Sequence, residues 1–198
     1  MGSSAISVLV ALIGVLFIFM CTPTTSTTLT TNKTNTQFIK TSCTNTTYPA
    51  LCLQSLSSYS NKIKSNYQKL VYTAVSVAFK SAQSASSVVS DLTRRQNIKR
   101  SEAVALKDCV ESIRDSIDEL RQSLKQMKSL NGTRRYYQMS NVRTWMSAAL
   151  SDDDTCLNGL EEEHVSGQTR DTIKESLVNV TQLTSNALFL CNRLNYTH

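Results

Sequence analysis

Proline, glycine and aromatic residues are scarce in this 198-residue chain, with 2 Pro, 5 Gly and only 7% Phe, Trp and Tyr together. Sheets draw on turn formers and on β-branched or aromatic strands, so this shortage disfavours a β protein and leans towards helix. Histidine is nearly missing: His164 and His198 are the only two. With no CxxC pair either, the cysteine and histidine spacings match no zinc site, and no metal is expected. The glycines are scattered, so there is no glycine-rich phosphate loop and no cofactor is expected. Nucleophilic catalysis needs a base beside the Ser or Cys. His164 follows Glu161-Glu162-Glu163 at a helix end and reads as a solvated surface residue, while His198 is the chain terminus. The case for an enzyme is poor.

What is present begins with an uncharged apolar stretch, Ala5 to Cys21, at the length where a secretory hydrophobic region and a short membrane span meet. A Thr/Ser run from Thr22 to Thr31 follows with no stop-transfer cluster, so residues 1–26 read as a removable signal peptide and 27–36 as a Thr-rich spacer. Cys21 leaves with that segment. Cys43, Cys52, Cys109, Cys156 and Cys191 remain, an odd set that allows at most two internal bridges and one free thiol. Asn-x-Ser/Thr sequons begin at Asn32, Asn45, Asn131, Asn179 and Asn195, which fits transit through a glycosylating compartment. The formal net charge is +6, and no charged side chain precedes Lys33, so the mature chain keeps all of it. Basic proteins associate with polyanions. For a secreted chain, acidic polysaccharide is a reasonable polyanion and nucleic acid is not.

Residues 37–58 form a compact unit in which Pro49, between Cys43 and Cys52, breaks any continuous helix. A pair of short helical turns closed by one disulfide is the natural reading. Four long helical patterns follow over 66–194. The first takes Tyr67, Val71, Ala74, Ala78, Ala82, Ala85, Val89 and Leu92. The second takes Ala103, Leu106, Val110, Ile113, Ile117, Leu120, Leu124 and Met127, with Ser101 as N-cap and Asn131-Gly132 as stop. The third takes Met139, Val142, Met146, Ala149, Cys156 and Leu160, interrupted by Asp153; the last takes Ile173, Leu177, Val180, Leu183, Ala187, Leu190 and Leu194. One apolar stripe per helix and short connections predict an all-α, up-down-up-down four-helix bundle. Cys109 adjoins Val110 and Cys156 lies on the third stripe, so a bridge between them would lock helices two and three together.

The charged runs have plain readings. Consecutive helical residues diverge by 100°, so Asp152-Asp153-Asp154 and Glu161-Glu162-Glu163 cannot converge on one cation and read as a solvated acidic face. Arg94-Arg95, Lys99-Arg100 and Arg134-Arg135 read as basic loop ends, and Tyr136-Tyr137 and Trp145 as packing aromatics.

Specific segments carry a family likeness. LKDCVESIRDSIDELRQSL (Leu106 to Leu124), VRTWMSAALSDDDTCLNGLEE (Val142 to Glu162) and TSCTNTTYPALCLQSL (Thr41 to Leu56) resemble the plant invertase/pectin methylesterase inhibitor family. The resemblance covers Phe38 to Leu194. It implies bridges Cys43–Cys52 and Cys109–Cys156, a free Cys191, and an N-terminal disulfide-closed helical hairpin on the bundle, together an inhibitor domain over 37–194. TWMSAAL, with Trp145, looks like the esterase-inhibitor branch, and the Pro-Lys-Phe segment of invertase inhibitors has no counterpart here. The resemblance therefore implies a secreted apoplastic inhibitor, monomeric until it binds pectin methylesterase one-to-one across the substrate cleft. Inhibition of acid invertase is the alternative within the family. A basic wall-active defence protein is the alternative outside it, and weak association with acidic pectin fits the net charge. Carried over by position, the partner-binding residues are Glu111, Asp115 and Asp118 on helix two, with Thr155 beside Cys156 and Asn158 where some relatives carry an acid.

Overall fold

The computed structural model describes residues 26–95, 98–130, 132–163, 165 and 167–194, with side chains described from Lys33 onward. The apolar leader, the sequons at Asn131 and Asn195, the side chain of Asn32, and His164 and His198 lie outside the described residues. The chain divides into two compact units, Met1–Thr34 and Asn35–His198. Among the described residues there is no strand, and no helix is long and apolar enough to cross a membrane.

Among the described residues seven α-helices follow one another: α1 (Ser26–Cys43), α2 (Pro49–Ser57), α3 (Ser60–Ile63), α4 (Tyr67–Thr93), α5 (Arg100–Lys128), α6 (Arg135–Glu162) and α7 (Gly167–Asn192). Helix α1 begins at Ser26, so the residues expected as a spacer are helical. Threonine costs only about 0.5 kcal/mol per residue relative to Ala, and adding a turn to an existing helix is far easier than starting one. Pro49 opens α2, where its missing N–H costs nothing. Cys43 and Cys52 are bridged with Cα atoms 5.7 Å apart, closing the expected hairpin. Its turn is held from outside by buried Asn186 of α7. The Tyr48 N–H donates to Asn186 Oδ1, and Asn186 Nδ2 donates to the Tyr48 carbonyl, both at 2.9 Å.

Helices α4 to α7 form the bundle: each packs on the next, and α7 returns to α4. Cross-helix contacts set the direction. Ser123 late in α5 donates to the Val142 carbonyl early in α6, while Cys109 early in α5 is bridged to Cys156 late in α6. Arg121 lies over the Phe79 ring of α4, and Asn179 near the middle of α7 donates to Ser81 near the middle of α4. The up-down-up-down order holds.

Most stripe residues are buried as expected, while Tyr67 and Leu124 are half-buried. Ala103 is exposed, and Ala105 and Cys109 take its place. On α5 a second seam runs Cys109, Ile113, Ser116, Leu120, Ser123 and Met127, so the helix buries a broad face whose serines are hidden against α6. A period of seven with small polar residues reads as surface unless both seams are counted. The expected cap at Ser101 is not used: α5 starts at Arg100 with no side-chain cap. It ends at Lys128, ahead of Asn131-Gly132. A cap that composition did not flag belongs to Asn66, whose Oδ1 accepts the Lys69 N–H at the start of α4. Just before it, Lys64 and Ser65 both have left-handed backbone, with φ of 48° and 53°. Such residues cost about 1 kcal/mol or more each. The Ser65 hydroxyl, donating to Asn35 Oδ1 at 3.1 Å, helps hold the turn.

Candidate functional site

Antiparallel packing turns a sequence distribution into a spatial one. The chain's 15 acids all fall within residues 91–119 and 152–175, that is, at the end of α4, the first two-thirds of α5, the end of α6 and the start of α7. In an up-down-up-down bundle those four stretches share one half of the molecule. The other half, with the N-terminal hairpin, holds no acid. Neither half is evident from the chain's net charge.

Within the acidic half, Glu111, Asp115 and Asp118 are all exposed and line one open cleft of about 790 Å³ between α4 and α5. Their spacing by four and three keeps them on one face of α5. Val110 lies at the floor, Ser90 and Thr93 form the α4 wall, and Arg94, Lys107 and Arg114 intersperse positive charge. Through the shared Arg114 and Asp118 the groove continues into a second depression lined by Gln83, Ser86, Ser87 and Ile117. Asp118 is already paired with Arg121 of its own helix, whereas Glu111 and Asp115 have no ion pair among the described residues.

Thr155 and Asn158 are exposed on α6 and do not line this cleft. The Cys109–Cys156 bridge, with Cα atoms 4.3 Å apart, nonetheless fixes Thr155 at the level of α5 just before Glu111. The Thr155 hydroxyl donates to the Ser151 carbonyl at 2.8 Å, leaving its lone pairs free to accept. Both disulfides are as the family likeness implied, and Cys191 is unpaired and buried, its thiol pushed up to about 11 by desolvation against a smaller opposing effect of Arg143. Of the sequons with described side chains, Asn45 is exposed in the hairpin turn, and Asn179 spends its amide on Ser81.

The acidic runs are less uniform than expected. Asp153 is not part of a solvated face: it is 0% exposed and occupies the position in the α6 stripe between Ala149 and Cys156. Its burial pushes the carboxyl up to about 7. The Ser116 hydroxyl across the α5–α6 seam favours the charged form, and Asp152 and Asp154 oppose it. Neither carboxylate oxygen is in hydrogen-bonding geometry with a protein donor. Desolvation, then repulsion from Asp115, also raises Asp152, and desolvation followed by Asp152, Asp115 and Asp118 raises Glu119. Asp152 and Glu119 thus belong electrostatically to the Asp115 cluster, although spacing along one helix did not bring them in. Tyr136 and Tyr137 are a further correction. They do not pack into the bundle but stand 56% and 70% exposed.

Among the described residues no group of three His, Cys, Asp or Glu side chains is placed to hold a metal ion. What the site offers is a rigid, cross-linked surface with patterned charge, suited to holding another molecule.

Comparison with known proteins agrees. The sequence pattern of the family described as plant invertase/pectin methylesterase inhibitor matches residues 37–190. A "21 kDa protein" of Daucus carota is 41% identical over 165 residues, covering 82% of this chain and 86% of that one. "Pectinesterase inhibitor 9" of Arabidopsis thaliana is 41% identical over 163 residues, covering 79% of this chain and 80% of its own. A crystal structure of a mutant pectin methylesterase inhibitor from Arabidopsis superposes with a TM-score of 0.63 over 80% of this chain and 98% of that one; at 20% identity it speaks for the fold alone. "Pectinesterase inhibitor 10" of Arabidopsis thaliana, 42% identical over 164 residues, carries the same kind of name. The present chain belongs to the plant invertase/pectin methylesterase inhibitor family.

Proposed function

We propose that this protein is a secreted inhibitor of pectin methylesterase that binds the enzyme one-to-one through its acidic half and keeps pectin out of the substrate cleft. The observation that carries the reading is the exposed Glu111–Asp115–Asp118 stripe, lining an open groove on a helix locked to its neighbour by Cys109–Cys156. A stiff face loses little conformational freedom on docking. Carboxylates facing a basic enzyme would speed encounter and fix orientation, at a cost in salt sensitivity. Thr155 and Asn158, on the far side of that bridge, extend the contact onto α6. Names of relatives point the same way, since "Pectinesterase inhibitor 9" and "Pectinesterase inhibitor 10" share about two residues in five with this chain.

The test is a pair of titrations of the oxidised protein, against a purified plant pectin methylesterase and a purified acid invertase. Saturable loss of esterase activity at one inhibitor per enzyme, with invertase untouched, is the expected result. Inhibition of invertase alone would transfer the reading to the family's other branch. Failure against both, with the protein bound to wall material, would leave the defence-protein reading.

A further inference from the structure

The acid-free half of the bundle has a cleft of its own. It measures about 400 Å³ and lies where the α3–α4 turn meets the end of α5, lined by Lys62, Asn66, Gln68, Lys69, Tyr72 and Met127. Lys62 and Lys69 are exposed, and neither is in an ion pair among the described residues. Lys64, on the adjoining left-handed turn, and Lys125 and Lys128, on the last turn of α5 beside Met127, add to the same field. Between residues 35 and 90, and again between 120 and 151, the chain has no acid to neutralise them. Tyr72 lines the cleft and is half-buried, packed against the core.

We infer that this cleft binds a segment of linear polyuronate, the carboxylate-bearing form of pectin that methyl-ester hydrolysis leaves behind. The fit is chemical. Ammonium groups take the uronate carboxylates as point charges. The amides of Asn66 and Gln68 can bond sugar hydroxyls in either sense. Tyr72 presents an apolar face with a polar tip, the combination that suits one face of a sugar ring. A methyl-esterified chain offers the lysines no charge and would bind poorly. The inference goes beyond enzyme inhibition: a site at the acid-free half leaves the acidic half open, so polymer and partner enzyme could be held together. It does not depend on esterase inhibition, because the polymer is tested with no enzyme present.

The experiment measures binding of the oxidised protein to soluble polygalacturonate, to highly methyl-esterified pectin, and to vesicles of anionic phospholipid, by co-sedimentation and calorimetry at low salt. The wild-type protein should bind polygalacturonate, bind the esterified polymer at least about tenfold more weakly, and lose affinity as salt rises. Lys62→Glu with Lys69→Glu should weaken polygalacturonate binding by about tenfold or more. Lys99→Glu with Arg100→Glu, an equal charge change at the acidic half, should alter it by less than about threefold. Unchanged melting curves establish that both variants are folded, and a chemical-shift map with a trigalacturonate probe locates the site even if the first variant is unstable. No binding, equal losses in the two variants, shifts centred away from Lys62 and Lys69, or a preference for vesicles would each overturn the inference.

Discussion

The two halves of this bundle are built from the same four helices and buried by the same apolar repeat, yet they differ in almost everything that faces water. One half collects all 15 acids, a crowded set of carboxylates and the bridge between the long helices. The other collects lysines such as Lys62 and Lys69 that have no ion pair among the described residues, the tyrosines at 136 and 137, and the hairpin clamped by Asn186. The core decides only that the helices form and pack. Partner choice is left to the surface, and antiparallel topology sorts that surface into two poles. Burial first, and repulsion between neighbouring carboxylates second, have an energetic consequence at the acidic pole: Asp152, Asp153 and Glu119 are all shifted upward.

The largest effect that separates the poles concerns their cross-links. Cys109–Cys156 closes a 47-residue separation and Cys43–Cys52 one of 9. In the chain-entropy view the first contributes about 4 kcal/mol and the second about 3. Replacing each pair by Ala and measuring chemical denaturation should therefore destabilise both proteins, the acidic-pole variant more. The reverse order would mean that the hairpin, and not the α5–α6 lock, anchors the fold.

Next comes Asp153. Its carboxyl ionises near 3.8 in the unfolded chain and near 7 in the folded one. The unfolded state therefore gives up this proton more readily, and stability falls as pH rises from about 4 to about 7, then levels off. The penalty is on the order of a few kcal/mol above neutrality. Asp152 and Glu119, shifted the same way, add to the slope. Melting curves between pH 5 and 8 should show the wild-type protein more stable at pH 5, and Asp153→Asn should flatten the dependence chiefly by raising stability at pH 8. A wild-type protein more stable at pH 8 would contradict the burial argument.

Smaller again is the response of the proposed enzyme complex to salt. Raising ionic strength from low to physiological values should weaken inhibition by about tenfold, mostly by slowing association. Stopped-flow mixing with the esterase measures this directly. The smallest effect belongs to Asp118–Arg121, an exposed pair within one helix. Arg121→Ala should cost less than about 1 kcal/mol in stability. A larger loss would trace to the contact of Arg121 with the Phe79 ring.

Much of this was legible in the sequence because the apolar repeat is regular: the stripes from Val71 to Leu92 and from Ile173 to Leu190 are buried residue for residue. Burial of small polar residues was not legible. Ser116 and Ser123 sit at core positions because α5 and α6 approach closely along a second seam, and the sequence does not display a neighbour's surface; Asp153 stands on the third stripe itself, where its charge and its acidic neighbours argued for solvent. Tyr136 and Tyr137 misled for the opposite reason, since large apolar area usually argues for burial. Of the candidate site, Glu111, Asp115 and Asp118 were visible as one stripe, whereas their electrostatic link to Asp152 and Glu119 needs the α5–α6 packing. The polar sorting of charge was in plain sight along the chain, but it acquires meaning only once the helices fold back on one another.

One comparison tests the central claim most directly: the inhibition constant for pectin methylesterase of Glu111→Ala with Asp115→Ala, set against that of Lys62→Glu with Lys69→Glu, on proteins of matched stability. The acidic-pole variant should inhibit at least about tenfold less well, and the basic-pole variant should stay within about twofold of wild type. Equal inhibition by wild type and the acidic-pole variant, or loss confined to the lysine variant, would contradict the account.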